Sequence, residues 1–126
     1  MPNDAIPVLD AAQVADLMGL DKGTGEVYGK FVTTFLAGAD GRIAQIRSHA
    51  EAADMAALSG AAHMLAGSAA NLGAARLAAL LIRLEGIGKR RDGAAAIELL
   101  GLLDLEFALA REALLAAAAG KSARCG

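Results

Sequence analysis

Few side chains in this 126-residue chain can act as nucleophiles or soft ligands at neutral pH, since it holds only two histidines and one cysteine. Cys125 sits in the small polar tail Lys121 to Gly126, whereas His63 stands mid-way in Ala62-His63-Met64-Leu65-Ala66-Gly67-Ser68, within a segment that reads as helix. A neutral imidazole keeps one nitrogen lone pair free, which suits it to nucleophilic work. At about 100° per residue, Met55, Leu58, Ala62, Leu65, Ala69 and Leu72 fall on one apolar stripe, the expected buried face. The opposite side groups Ala56, Gly60, His63, Gly67 and Ala70, so the imidazole is expected to stand on a surface with hardly any other side-chain bulk. Glycine inside a helix costs roughly 1 kcal/mol relative to alanine, and this face carries two. An imidazole kept uncrowded at that cost points to close approach by a partner protein. His49, between Ser48 and Ala50, reads as exposed or capping. Without paired ligand spacing among these few residues, no metal site is expected.

The elements that position His63 follow from periodicity and end signals. Asp10 with Gln13 has the form of a capping box, and Leu9 with Val14 that of a hydrophobic staple, so a short helix is expected from Asp10 to near Gly19. Gly23-Thr24-Gly25 is a loop with Thr24 as candidate N-cap. Its glycine spacing misses the dinucleotide fingerprint, and no strand precedes it. A second helix has Tyr28, Phe31, Val32, Phe35, Ala39, Ile43, Ile46 and Ala50 as its core face, with a bend expected near Asp40-Gly41. The third runs from about Asp54 to Leu72 and stops at Gly73. The fourth, from Ala74 to about Lys89, buries Leu77, Leu80, Leu81, Leu84 and Ile87, and the basic run Lys89-Arg90-Arg91 suits its C-terminus. Asp92 caps a fifth, whose seam is Ile97, Leu100, Leu103, Phe107, Ala110 and Leu114. The expected architecture is all-α, an up-down-up-down four-helix bundle with an additional short N-terminal helix.

Composition agrees, at 56% hydrophobic with only 3% aromatic residues. A net charge of −2 gives no basic footprint for nucleic acid. The longest apolar stretch, residues 94 to 119, is broken by Glu98, Asp104, Glu106, Arg111 and Glu112, which makes it amphipathic and not membrane-spanning. Met1-Pro2-Asn3-Asp4 does not read as a signal peptide, and one unpaired cysteine suits the cytoplasm. A single monomeric domain over 1–126 is expected, with a core of about 8–118 and frayed tails at 1–7 and 119–126.

The run His63-Met64-Leu65-Ala66-Gly67-Ser68-Ala69-Ala70-Asn71-Leu72-Gly73-Ala74, followed by Leu77, Leu80, Leu84 and Glu85, closely resembles the histidine phosphotransfer (HPt) family of two-component phosphorelays. That family's signature is His-x-Leu-Lys-Gly-Ser-x-x-x-Leu-Gly-Ala, then a leucine-rich helix ending in Leu-Glu. Val8-Leu9-Asp10 and Tyr28-x-x-Phe31-Val32-x-x-Phe35-Leu36 extend the likeness upstream. The resemblance implies a phosphorelay intermediate that carries a phosphoryl group on His63, with no ATP-dependent kinase activity of its own. It implies that Glu85 accepts from the imidazole Nδ1–H and orients the ring. It makes Ala56, Gly60, Ala66, Gly67 and Ala70 the surface that receives response-regulator receiver domains or a sensor histidine kinase, hybrid kinases included. No cofactor is expected on this chain, the magnesium ion belonging to the receiver. The departure is Ala66, where the family's lysine is thought to meet the phosphoryl group, and Lys89, Arg90 and more weakly Arg76 are the candidate replacements. Ala66 also keeps open a second reading, a helical adaptor that binds such partners without being phosphorylated.

Overall fold

The computed structural model describes residues 5–20 and 25–125. It contains α1 (Ala11–Gly19), α2 (Glu26–Glu51), α3 (Met55–Leu72), α4 (Ala75–Lys89) and α5 (Gly93–Cys125), with no strand among the described residues. Both α3 and α5 pack on α2 and α4, so α3 and α5 stand diagonally across a four-helix bundle, while α1 lies against α2 and α3. The core is aliphatic: Val32, Ile46, Leu58, Leu65, Leu77, Leu80, Leu81, Leu84, Leu103 and Leu114 are enclosed, each fully buried leucine contributing about 1.5–3 kcal/mol. Tyr28 adds a polar group to it. Its hydroxyl donates to the Leu72 carbonyl at 3.2 Å, joining the start of α2 to the end of α3. Burial pushes this phenol up to about 12, so it stays a neutral donor.

Three helices end in the same hydrogen-bond pattern. After α3, Ala74 N–H donates to Ala69 O and Gly73 N–H to Ala70 O, with Gly73 at φ +88°, a Schellman motif. A Cβ on Gly73 would come within 2.9 Å of Val14 Cγ2, so glycine is needed here for packing of α1 as well as for the dihedral. The ends of α2 and α4 repeat the bonds through Asp54 N–H to His49 O and Asp92 N–H to Ile87 O. There, however, the left-handed positions are Ala53 and Arg91, each at φ 57°. Asp54 and Asp92 then cap the next helices, Oδ1 accepting from Ala57 N–H and Ala95 N–H at 3.1 Å.

Several expectations need correction. Asp10 does cap α1, accepting from Ala12 and Gln13 N–H, but Gln13 does not reach back. Its amide donates to Asn71 O at 2.8 Å, and Asp10 N–H is taken by Gly73 O instead. Phe31 is 44% exposed, because the phase set by Tyr28, Val32, Ala39 and Ile43 turns it toward a groove beside Leu17 and Phe35. Ile97 is 64% exposed; counting back seven residues from Leu103 puts Ala96 in the core, with Leu99 beside it. α2 continues unbroken through Asp40-Gly41, and α5 runs on to Cys125, so 119–125 extends the last helix. Thr24 lies outside the described residues, and Gly25 is the N-cap of α2. Arg76 is a tether: Nε donates to Ile6 O at 2.8 Å and lies 3.9 Å from Glu106 Oε1.

A non-glycine residue in the left-handed region costs roughly 1–2 kcal/mol. Ala53→Gly and Arg91→Gly should therefore each raise unfolding stability by about 0.5–1 kcal/mol after the entropy of the added glycine, read as a higher urea midpoint with unchanged slope. A lower midpoint in both would overturn the account of these turns.

Candidate functional site

The register of α3 decides where the imidazole goes. Leu58, Ala62, Leu65, Ala69 and Leu72 are buried, while Ala56, Gly60, His63, Gly67 and Ala70 are exposed. The His63 side chain is 71% exposed. A Cβ built on Gly60 or Gly67 meets nothing within 4 Å, so packing within the domain asks for glycine at neither position. Ala66 departs from the expected face and is 5% exposed. It lies two turns beyond Ser59, on the side of α3 that faces α4. Met64 was not singled out in the sequence and is exposed beside His63.

Glu85 reaches His63 because α3 and α4 come unusually close near its level. A Cβ on Gly88 would stand 2.9 Å from Met55 O, 3.0 Å from Ser59 Cβ and 3.1 Å from Leu58 Cδ2. No larger residue fits there without pushing the helices apart. Ser59 fixes the same height, its hydroxyl donating to Glu85 O at 3.0 Å. One turn before Gly88, the Glu85 side chain then turns up to His63, with Nδ1 and Oε1 3.2 Å apart. Against an ionised carboxylate Nδ1 must carry the hydrogen and donate, which leaves Nε2 as the nitrogen with the free lone pair.

Glu85 is shared. Its other oxygen, Oε2, takes the Lys89 ammonium at 3.1 Å, one turn along α4. The Lys89 contact first, and the His63 contact second, hold the Glu85 carboxyl below its usual range. Glu85 is therefore ionised at neutral pH, and its stabilising contacts fade only as acid titrates it below the ordinary carboxylate range. The Arg90 guanidinium lies over Gly86, where a Cβ would be 3.5 Å from Nη1. The site thus joins His63, Glu85 and Lys89 into a chain, with Arg90 at its edge. His49 is elsewhere, half-buried in the last turn of α2. Among the described residues no three His, Cys, Asp or Glu side chains gather as metal ligands.

Gly88 and Ser59 were missed in the sequence, where a glycine near a helix end carries no sign of a backbone packed beside it. Gly88→Ala should cost about 1–3 kcal/mol by overpacking and lower the population of the Nδ1–H tautomer in 15N NMR of His63. Gly86→Ala, with room for its methyl, should keep the tautomer and gain up to about 1 kcal/mol. Unchanged stability and tautomer in Gly88→Ala would show that this contact does not set the height of Glu85.

A family model described as the Hpt domain matches residues 30–118, which include His63, Glu85 and Lys89. Among solved structures the chain is similar to the histidine-containing phosphotransfer protein B (HptB) of Pseudomonas aeruginosa PAO1, with a TM-score of 0.81 and 27% identity over 89% of this chain and 95% of that one. Comparison with the curated proteins gives no match. With the family model covering well over half of the sequence, and the helical bundle shared with a solved phosphotransfer protein, the chain belongs to the Hpt domain family, the histidine phosphotransfer domains of phosphorelays.

Proposed function

We propose that His63 takes the phosphoryl group, from an aspartyl phosphate on a receiver domain or from a sensor histidine kinase, and returns it to another receiver. The observation that carries this reading is the Nδ1 to Glu85 contact at 3.2 Å on a largely exposed ring. The transfer balances without moving a proton. Nε2 attacks phosphorus, the bond to the aspartate oxygen breaks and leaves a carboxylate, and the ring, still carrying Nδ1–H, becomes cationic. Glu85 opposes that charge across the same hydrogen bond, as the carboxylate of a catalytic triad does for its imidazolium. The partner receiver supplies a magnesium ion to shield the phosphoryl oxygens. This chain supplies a nucleophile fixed in tautomer and direction, and acts as a carrier without kinase activity of its own.

Lys89 is the cation that replaces the family lysine missing at Ala66. Held one turn from Glu85 and 68% exposed, it needs only a rotamer change to meet a phosphoryl group on Nε2. A lysine at buried Ala66 would have to thread its stem out to solvent. Arg90 is the second candidate. Ala56, Gly60, Gly67 and Ala70 give the receiver clearance, and exposed Met64 gives it an apolar contact. No helix among the described residues is long and apolar enough to cross a membrane; partners of this chemistry support a cytoplasmic reading. The adaptor reading rests on Ala66 alone, and a pure adaptor has no use for the His63–Glu85–Lys89 chain.

His63→Gln should fold with the wild-type melting temperature and accept no phosphoryl group, whereas the wild-type adduct should be acid-labile and alkali-stable. Label retained by the mutant would refute the assignment. Gly67→Leu should lower the transfer rate at undiminished thermal stability; an unchanged rate would move the docking surface elsewhere. Lys89→Ala should slow acceptance several-fold, as expected for one charge-assisted contact at an exposed site. If Arg90→Ala slows it and Lys89→Ala does not, the cation is Arg90.

A further inference from the structure

The charges of this chain are unevenly divided. Residues 55–91, which hold α3 and α4, carry five basic side chains and one acidic one, whereas the rest of the sequence carries seven basic and thirteen acidic. A chain of net charge −2 therefore has one cationic side. Apart from His63, α3 adds nothing to it, since no Asp, Glu, Lys or Arg occurs between Met55 and Leu72. The cations belong to α4 and its last turn. At about 100° per residue, Lys89, Ile82, Gly86, Arg90 and Arg83 follow Glu85 in that order around the outer face of the helix, opposite buried Leu77, Leu80 and Leu84. Arg83, Lys89 and Arg90 are exposed. Among the described residues neither Arg83 nor Arg90 pairs with a carboxylate, while Arg47 and Arg76, placed elsewhere, lie against Asp104 and Glu106. Arg91 borders the groove at the end of the bundle together with Glu51 and Asp54, and stands apart from the strip. In the middle of the strip a Cβ on Gly86 would meet only Arg90 Nη1, at 3.5 Å, so nothing else in the domain fills the space above it.

We propose that this strip of α4 steers and selects the partner: Arg83, Lys89 and Arg90 meet the carboxylate-bearing rim of a receiver domain, while the uncharged face of α3 gives that receiver clearance at His63. The inference rests on the phosphotransfer reading and adds to it the side of His63 on which the partner's charge is met. A receiver that supplies magnesium holds the ion with oxygen ligands, carboxylates foremost, and an aspartyl phosphate adds further negative charge beside them. Such a partner is anionic at the point that faces His63. Lys89, already against Glu85, is the cation nearest the imidazole, and Arg90 and Arg83 continue the positive potential away from it along the helix. On α5, diagonal to α3, Glu98, Asp104, Glu106 and Glu112 outnumber Arg111 among residues 93–119, and repel the same partner from the far side. Attraction on one side and repulsion on the other orient the encounter before contact, which raises the association rate and discriminates among partners more than it deepens affinity.

The test is rapid-quench transfer to the full chain from a receiver domain phosphorylated with acetyl phosphate, taking the receiver of the host genome that labels His63 fastest. The second-order rate constant should fall several-fold between about 0.1 M and about 1 M salt, as the screening length shortens from about 10 Å to about 3 Å. Arg83→Glu should lower it roughly tenfold at the lower salt, within the range of electrostatic steering, and flatten its salt dependence. The rate at saturating receiver and the melting temperature should stay at wild-type values. Arg111→Glu makes the same change in net charge from an exposed position on α5, and should leave the rate constant nearly unchanged. A wild-type rate constant indifferent to salt, an Arg83→Glu effect no larger than that of Arg111→Glu, or a loss confined to the saturating rate would each overturn the proposal. The first two would move recognition to the apolar groove of Leu17, Phe31 and Phe35 on the α2 side of α3. Absence of label on His63 from every receiver would overturn the phosphotransfer reading itself, and this inference with it.

Discussion

The approach of α4 to α3 at Gly88 is the contact on which the site depends. With 2.9 Å between its missing Cβ and Met55 O, the two helices are as near as backbone allows, and close packing transmits any change there directly to its neighbours. Everything chemical sits on the consequence. Ser59 can reach the Glu85 carbonyl, Glu85 can reach His63, and Lys89 follows one turn later on the same face. A hydrogen bond between two partly solvated side chains contributes only about 0.5–1.5 kcal/mol, too little to hold two helices in place. The packing positions the pair, and the pair selects the tautomer.

That ordering explains what the sequence made legible. The outward position of His63 was readable because it depends on the phase of one helix, and five buried aliphatic positions on α3 define that phase well. The bundle was readable for the same reason. Phe31 and Ile97 were misplaced because hydrophobicity was allowed to override phase; the helix buries Ala96 and exposes Ile97, as its neighbours dictate. Ala66 was misassigned in a related way, since its burial depends on where α4 lies and not on α3 alone. Gly88 was illegible for a deeper reason. A glycine that admits a neighbouring backbone carries no local signature, and only the pairing of two helices gives it a function. Gln13 shows the limit of motif reading: its spacing fitted a capping box, yet Asn71 O offers its amide a tertiary acceptor.

The loss of a lysine beside the histidine need not remove positive charge from the site. Lys89 offers a cation from the neighbouring helix, tied to the same carboxylate that contacts the imidazole. One anion then stands between two groups, and under the proposed transfer their needs are opposite: the ring gains from an unshared carboxylate when it becomes cationic, and the ammonium gains from leaving when phosphoryl oxygens arrive. Both changes have the same direction, since departure of Lys89 leaves Glu85 fully available to the ring.

The two left-handed turns without glycine, at Ala53 and Arg91, border one shallow groove with Asp54 and Gly93 and thus lie at one end of the bundle. At the other end of α3, Gly73, Val14, Tyr28 and the Asp10 to Gly73 bond fasten α1, α2 and α3 together. Each left-handed non-glycine residue costs roughly 1–2 kcal/mol, and both stand at the first end, which favours local opening there over the fastened end. Gly88 lies at the strained end and Glu85 one turn inside it, so opening there would loosen the contact that sets the height of Glu85. Breathing of the fold and readiness of the site would then be two readings of a single equilibrium.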